Sequence, residues 1–326
     1  MAALGYDMPC YKPMQAWYSK EVNPTGKRSL VFNWKYAEQP DDPIEIACGQ
    51  CIGCRLERSR QWAIRCCHEA QMHEDNCFIT LTFSDKELLK RENPLSVDTR
   101  DFQKFMKRLR KYTGKKVRYF HCGEYGDENM RPHYHACLFG LDFEDKYVWM
   151  ERNGNKLYRS PTLEKIWPFG YSSIGEVNFE TAAYVARYVM KKVTGEGKDR
   201  LKVKECDGEL VELKHYQMLD KDTGEIIELK PEYTTMSRRP GIGKDWYDRY
   251  ASDVHDSDFV VINGKKMRPP KFYDKLLEKK DPEKYEYVKM AREEHAKQFH
   301  DNNTRERLDV REQVKSKQLE RLVRTL

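Results

Sequence analysis

The sequence lacks a long hydrophobic run. Nowhere in its 326 residues do about eighteen apolar side chains follow one another, the minimum for a membrane-crossing helix. It also lacks a secretory start, since Met1-Ala2-Ala3-Leu4-Gly5-Tyr6-Asp7 has neither a basic stretch nor an apolar run behind it. A cytoplasmic protein without a membrane partner is expected. No Gly-x-x-x-x-Gly-Lys-Ser/Thr loop occurs, so neither a nucleotide-driven motor nor a nucleotide cofactor is expected. A large charge excess is missing too. The 59 Lys and Arg against 53 Asp and Glu leave +6, so placement rather than total charge decides what the surface attracts. What is present argues for a packed core: 39% of residues are hydrophobic, with 20 Tyr, 13 Phe and 6 Trp.

Ten cysteines in a chain with no secretory signal read as free thiols or metal ligands rather than disulfides. Three are evenly spaced in Cys48-Gly49-Gln50-Cys51-Ile52-Gly53-Cys54. Cys48, Cys51 and Cys54 can supply part of a structural Zn²⁺ site, which needs four ligands. Cys10, Cys66, Cys67 and His68 are the candidates for the fourth. The alternative is that all are reduced cysteines filling a core.

Residues 1–54, rich in Pro, Gly and Cys, read as an irregular arm. A helical stripe of Leu56, Ala63, Ile64 and Cys67 follows among basic residues. Cys77-Phe78-Ile79-Thr80-Leu81-Thr82-Phe83 has the β-branched and aromatic content of a strand. Asp98 is placed to cap a helix carrying Phe102, Phe105, Met106 and Leu109 at helical spacing. Strands are expected over 117–124 and 133–141, joined by the turn-forming 125–132 as an antiparallel hairpin. A fourth strand over 170–178 and an alanine-bearing helix over 180–192 complete the series. That order predicts an α+β split β-α-β sandwich with a central antiparallel sheet. Hairpins are expected over about 200–235 as an insertion, with Asp207-Gly208 and Asp222-Thr223-Gly224 as turns. The division is then an arm at 1–54, a main domain at 55–250 and a charged helical appendage at 251–326.

Chemistry concentrates around Arg131-Pro132-His133-Tyr134-His135. On a strand, residues i and i+2 share a face, so His133 and His135 present two imidazoles together. A hairpin symmetric about its turn sets Glu124 opposite His133 and adds a carboxylate to that face. Asp127 and Glu128 compete for this role from the turn. Two imidazoles and a carboxylate with open positions suit Mg²⁺ or Mn²⁺. On the later helix, Tyr184 and Tyr188 are i, i+4 neighbours, and Lys191 lies on the same face. A tyrosine beside a cation and a bound phosphate can be activated as a nucleophile, although its ordinary pKa is about 10. Each of these elements, taken alone, also reads as ordinary packing.

The combination resembles the HUH endonuclease superfamily of rolling-circle initiators. It is closest to the replication initiators of gokushovirus-type microviruses. The resemblance rests on Cys48 to Arg55, Ser59-Arg60-Gln61-Trp62-Ala63, Arg131 to His135, Tyr184 to Lys192 and Ser237 to Gly243, within residues 45–245. It implies that His133 and His135 bind the divalent ion with Glu124 as acidic partner. It makes Tyr184 and Tyr188 the paired nucleophiles and Lys191 the accompanying lysine. The implied reaction nicks single-stranded origin DNA, retains a 5′-phosphotyrosine, frees a 3′-hydroxyl primer and later rejoins the displaced circle. Host helicase and polymerase in the bacterial cytoplasm would be partners. Lys104, Lys107, Arg108, Lys111 and Arg131 are candidate DNA contacts, with Lys115, Lys116, Arg118 and the 55–65 stretch as further phosphate binders. Tyr119, Phe120 and Tyr125 are candidates for base stacking. Two other readings stand beside this one: a plasmid-type initiator or relaxase of the same superfamily, and a zinc-stabilised nucleic-acid-binding protein without catalysis.

Overall fold

Alternation decides the central strands. In the segment Asn76–Phe83, Cys77, Ile79, Leu81 and Phe83 pack into one core, while Phe78 belongs to the core on the opposite face. A strand apolar on both sides must lie inside a sheet, and this one does. The structure, a computed structural model, describes residues 10–126, 130–152, 154–191, 201–206, 209–219 and 224–321.

In chain order the elements begin with β1 (Met14–Val22), β2 (Arg28–Val31), β3 (Ile44–Ile46), α1 (Ile52–Ala70) and β4 (Asn76–Phe83). There follow α2 (Asp85–Leu88), α3 (Thr99–Thr113), β5 (Arg118–Tyr125), β6 (Pro132–Phe139), β7 (Tyr147–Arg152) and β8 (Asn155–Arg159). Next come α4 (Pro161–Ile166), β9 (Gly170–Gly175), α5 (Phe179–Lys191), β10 (Lys202–Cys206), β11 (Glu209–Leu213), β12 (Gln217–Leu219), β13 (Ile226–Glu228) and β14 (Tyr233–Met236). The chain continues through α6 (Lys244–Ser257), β15 (Val260–Ile262), β16 (Lys265–Met267), α7 (Lys271–Lys280), α8 (Pro282–Lys297) and α9 (Arg305–Glu320).

Two compact units result: residues 59–273, and residues 10–58 with 274–321. The larger unit is mixed α and β, built on a seven-stranded sheet in the order β14-β5-β6-β4-β9-β8-β7. Every pairing in it is antiparallel. Helix α3 covers one face through Phe102, Phe105, Met106 and Leu109. Asp98 caps it, accepting from the Arg100 N–H at 2.8 Å, and Gly114 ends it at φ 66°, a left-handed position that glycine adopts without a Cβ clash. The other face is covered by Ala63 and Cys66 of α1 and by Ala182, Val185 and Ala186 of α5. The small alanines let α5 approach closely enough for a side chain to reach across to β5.

The smaller unit holds the antiparallel sheet β2-β1-β3 and helices α8 and α9. The arm expected to be irregular is therefore largely strand. Lys, Glu and Asn between its apolar positions obscure the alternation, and the β1–β3 pairing joins segments far apart in the chain, Met14 with Ile46. The hairpin β7–β8 also went unforeseen, because Tyr147, Val148, Trp149 and Met150 stay exposed and show no burial period. The turn residues Asp127 and Glu128, Asp207-Gly208 and Asp222-Thr223 lie outside the described residues. No helix among the described residues is long and apolar enough to cross a membrane.

Candidate functional site

The β5–β6 hairpin pairs Glu124 with His133 and Cys122 with His135. On its other side β6 pairs His133 with Thr82 and His135 with Thr80, and β4 pairs Thr82 with Tyr171. Directly paired residues point to the same face, so Glu124, His133, Thr82 and Tyr171 form one row across four strands. It lies on the face covered by α1 and α5.

In the adjoining row, His135 Nε2 is 2.7 Å from Glu124 Oε1, and both groups are buried. Thr80 Oγ1 lies 2.9 Å from His135 Nδ1 and fixes the ring from behind. His133 Nδ1 donates to the Arg131 carbonyl at 2.6 Å, which leaves Nε2 as the lone-pair nitrogen. The two rings are nearly parallel, 4° apart in plane, with centroids separated by 6.3 Å. Burial, followed by the neighbouring His135, holds the His133 imidazole below its ordinary range despite the Arg131 carbonyl and Glu124. A neutral imidazole is the form that binds a metal.

From α5, Tyr184 donates its hydroxyl to Glu124 Oε1 at 3.3 Å and meets the His135 ring edge-on at 5.1 Å. Arg187, one turn on, lies 5.7 Å from the Tyr184 ring. Tyr188 and Lys191 belong to the same helix by backbone, and their side chains lie outside the described ones. Four of the expected residues are thus gathered: Glu124, His133, His135 and Tyr184.

The donor set of two imidazoles and a carboxylate fits a small divalent ion. An octahedral ion with bonds near 2.1 Å keeps its donors within about 4.3 Å of one another. Among the described residues, the group whose ligating atoms all lie within 4.8 Å is the cysteine set, not this one. His133, held by Arg131, must rotate toward Glu124 to close the site around an ion.

The candidate phosphate binders divide. Lys104, Lys107 and Lys111 are exposed, but on α3, which packs on the opposite sheet face. Arg108 is committed elsewhere, donating to the Ile166 carbonyl at 3.0 Å and lying over Phe169. Arg131 donates to the Phe83 carbonyl at 2.8 Å and pairs with Asp85. Arg118 is not a surface cation: it is buried and paired with Glu69. Arg65 lies between the rings of Trp62 and Phe272 and donates to Ile242, also a structural role. Tyr125 does not offer a stacking face, because it is buried and its hydroxyl donates to Lys230 O. Phe120 is buried and stacks on Trp62.

Tyr171 was missed in the sequence. It is 64% exposed on the site face, about 10 Å from His133 at the usual strand spacing. The alternation of Gly170-Tyr171-Ser172-Ser173-Ile174, with Ser172 and Ile174 buried, was the signal that places it there.

The cysteine question also resolves. Cys10 joins Cys48, Cys51 and Cys54, and their sulfurs all lie within 4.8 Å of one another. This set can hold a structural metal such as zinc. Cys66 is instead buried in the core beneath α5. His68 meets the Tyr273 hydroxyl at 2.7 Å and stacks on Trp246, and burial pushes its imidazole down to about 3. Burial likewise pushes the Cys67 thiol up, to about 12.

The replication-associated protein ORF2 family matches residues 76–193, which span β4 through α5. Replication-associated protein VP4 of Bdellovibrio phage phiMH2K is 31% identical over 85% of this chain and 80% of its own length. Replication-associated protein ORF2 of Spiroplasma virus 4 is 31% identical over 77% of this chain and 74% of its own. Replication-associated protein ORF4 of Chlamydia phage 1 is 30% identical over 72% of this chain and 54% of its own. No solved structure matches the chain.

Proposed function

The chain belongs to the family of phage replication-associated proteins, and on that premise we propose that it starts rolling-circle replication by cutting one DNA strand through Tyr184. The carrying observation is the meeting of the Tyr184 hydroxyl with Glu124 Oε1 beside His135, on the face that also presents His133. This is an HUH-type endonuclease site.

Glu124, His133 and His135 would hold Mg²⁺ or Mn²⁺. When bound, such an ion supplies charge stabilisation for the phosphoryl oxygens. The residues of the chain do the rest. Thr80 and the Arg131 carbonyl orient the two imidazoles. Glu124 accepts the Tyr184 proton as the phenolic oxygen attacks phosphorus. The P–O3′ bond breaks, the 3′ oxygen leaves as a hydroxyl after protonation, and the 5′ phosphate remains esterified to Tyr184. Its ester energy is retained for rejoining, with Tyr188 as the second nucleophile and Lys191 beside it. Copying from the freed 3′ end falls to a host helicase and polymerase in the bacterial cytoplasm, since the chain has no phosphate loop of its own.

The test is cleavage of labelled single-stranded DNA carrying the phage origin, in Mn²⁺, resolved on a denaturing gel. A protein-linked 5′ fragment and a polymerase-extendable 3′ fragment are expected. Both should disappear on chelation and in the His133→Ala/His135→Ala variant. A folded wild type that binds this DNA and leaves it whole would remove the nicking reading.

Tyr171 supplies a base-stacking platform within reach of the scissile phosphate. Tyr171→Ala is expected to weaken single-stranded DNA binding by about 1–3 kcal/mol. The loss should appear in KM with kcat retained, measured by titrating origin oligonucleotide. A kcat loss at saturating DNA would contradict a stacking role.

A further inference from the structure

The nicking chemistry makes no use of the four cysteines gathered in the smaller unit. Their meeting is a consequence of strand pairing. Met14, Gln15 and Ala16 of β1 pair antiparallel with Ile46, Glu45 and Ile44 of β3. Cys10 and Cys48 therefore emerge from the same end of this ladder. Cys48 leads directly into the entry of α1, which brings Cys51 and Cys54 at intervals of three. Cys10 Sγ lies 3.7 Å from Cys48 Sγ and 4.0 Å from Cys51 Sγ. Thiolates about 2.3 Å from a central zinc, at the corners of a tetrahedron, stand about 3.8 Å apart. A disulfide needs sulfurs at about 2.05 Å, and these cysteines are free.

The backbone around the sulfurs is arranged for negative charge. The amides of Gln50 and Cys51 donate to Cys48 Sγ at 3.4 and 3.3 Å. Those of Tyr11 and Cys54 donate to Cys51 Sγ at 3.2 and 3.5 Å, and that of Cys48 donates to Cys10 Sγ at 3.3 Å. Amides turned toward sulfur stabilise thiolates, the form that ligates metal. Against the burial that raises it, the Cys54 and Tyr11 amides and the neighbouring thiols bring Cys51 down to about 7.

We infer that Cys10, Cys48, Cys51 and Cys54 bind one Zn²⁺ as a closed tetrathiolate site, and that this ion holds the smaller unit together. The unit has little else with which to do so. Its sheet leaves Tyr18, Leu30, Phe32, Trp34 and Tyr36 exposed, while the core around the sulfurs adds only Tyr11, Ile52 and Leu308 of α9. Small units with so little buried apolar surface commonly need a metal. Ligation by four thiolates leaves no open position, so the site is structural.

The measurement is metal content of the full chain, purified under reducing conditions with zinc present, by elemental mass spectrometry. One zinc per chain is expected, falling below a tenth in Cys10→Ser and Cys51→Ser and unchanged in Cys67→Ser. Titrating wild type with an organomercurial should release that zinc after four thiols have reacted, which serves if the serine variants fail to fold. Co²⁺ exchanged into the protein should show the intense visible bands of a tetrahedral thiolate ion. Absence of zinc, iron in its place, or full zinc retention in Cys10→Ser would overturn the assignment. None of these readouts depends on DNA cleavage.

Discussion

Tyr184→Phe is expected to lower the rate of covalent DNA adduct formation by several orders of magnitude, with fold and DNA affinity intact. The change removes one oxygen, the atom that donates to Glu124 Oε1 at 3.3 Å. It leaves the ring that meets His135 edge-on, so packing is preserved. No other described hydroxyl stands on α5 at that carboxylate. Losing the nucleophile removes the whole covalent pathway rather than a fraction of its barrier. Tyr188→Phe should keep the first cut and lose the second transesterification, so cleaved product accumulates without rejoined circles. Single-turnover assays on an origin oligonucleotide separate the two. First-cut activity retained in Tyr184→Phe and lost in Tyr188→Phe would reverse the assignment.

Glu69→Ala is expected to cost about 3–5 kcal/mol of folding stability, the usual loss when one partner of a buried ion pair is deleted. Glu69 and Arg118 are both buried, and the Arg118 Nε donates to Glu69 Oε1. The Gly243 amide donates to Glu69 Oε2 at 2.7 Å and His73 approaches from the next turn at 3.4 Å. Without the carboxylate the Arg118 cation is stranded in the core under α1. The pH dependence has a definite sign. Burial pushes the Glu69 carboxyl up, but the hydrogen bonds from His73, Arg118 and Gly243 and the Arg118 charge outweigh it and hold it below its usual range. Its stabilising contribution is therefore fully present above the unfolded value of about 4.3 and is lost as pH falls through the folded value. Urea titrations of wild type and Glu69→Gln between pH 3 and 7 check this. The wild-type advantage should shrink below about pH 4.3; an advantage that grows on acidification would contradict it.

The Glu124–His133 register was legible because a hairpin fixes it by counting residues from the turn, and the pairing observed is the one symmetry gives. Helices α3 and α5 were legible from their apolar spacing. Arg118 misled because its charge was read without its parity. It shares a strand face with Phe120 and Cys122, which pack beneath α1 and α5. The same parity excludes Tyr125 from the site, since it alternates with Glu124. The fourth cysteine was illegible for a different reason. Cys10 lies 38 residues from Cys48, and only the β1–β3 ladder joins them. Cys10, Cys66, Cys67 and His68 were equivalent as chemistry and differ only in tertiary placement.

The central claim is that the hydroxyl aimed at Glu124 is the one that attacks DNA. It is tested most directly by digesting the DNA-linked protein with protease and nuclease and sequencing the modified peptide by mass spectrometry. A nucleotide 5′-phosphate esterified to Tyr184, absent from His133→Ala/His135→Ala, is the result predicted. DNA cut with a free 5′ phosphate and no attached protein, or a link to a residue outside α5, would contradict it.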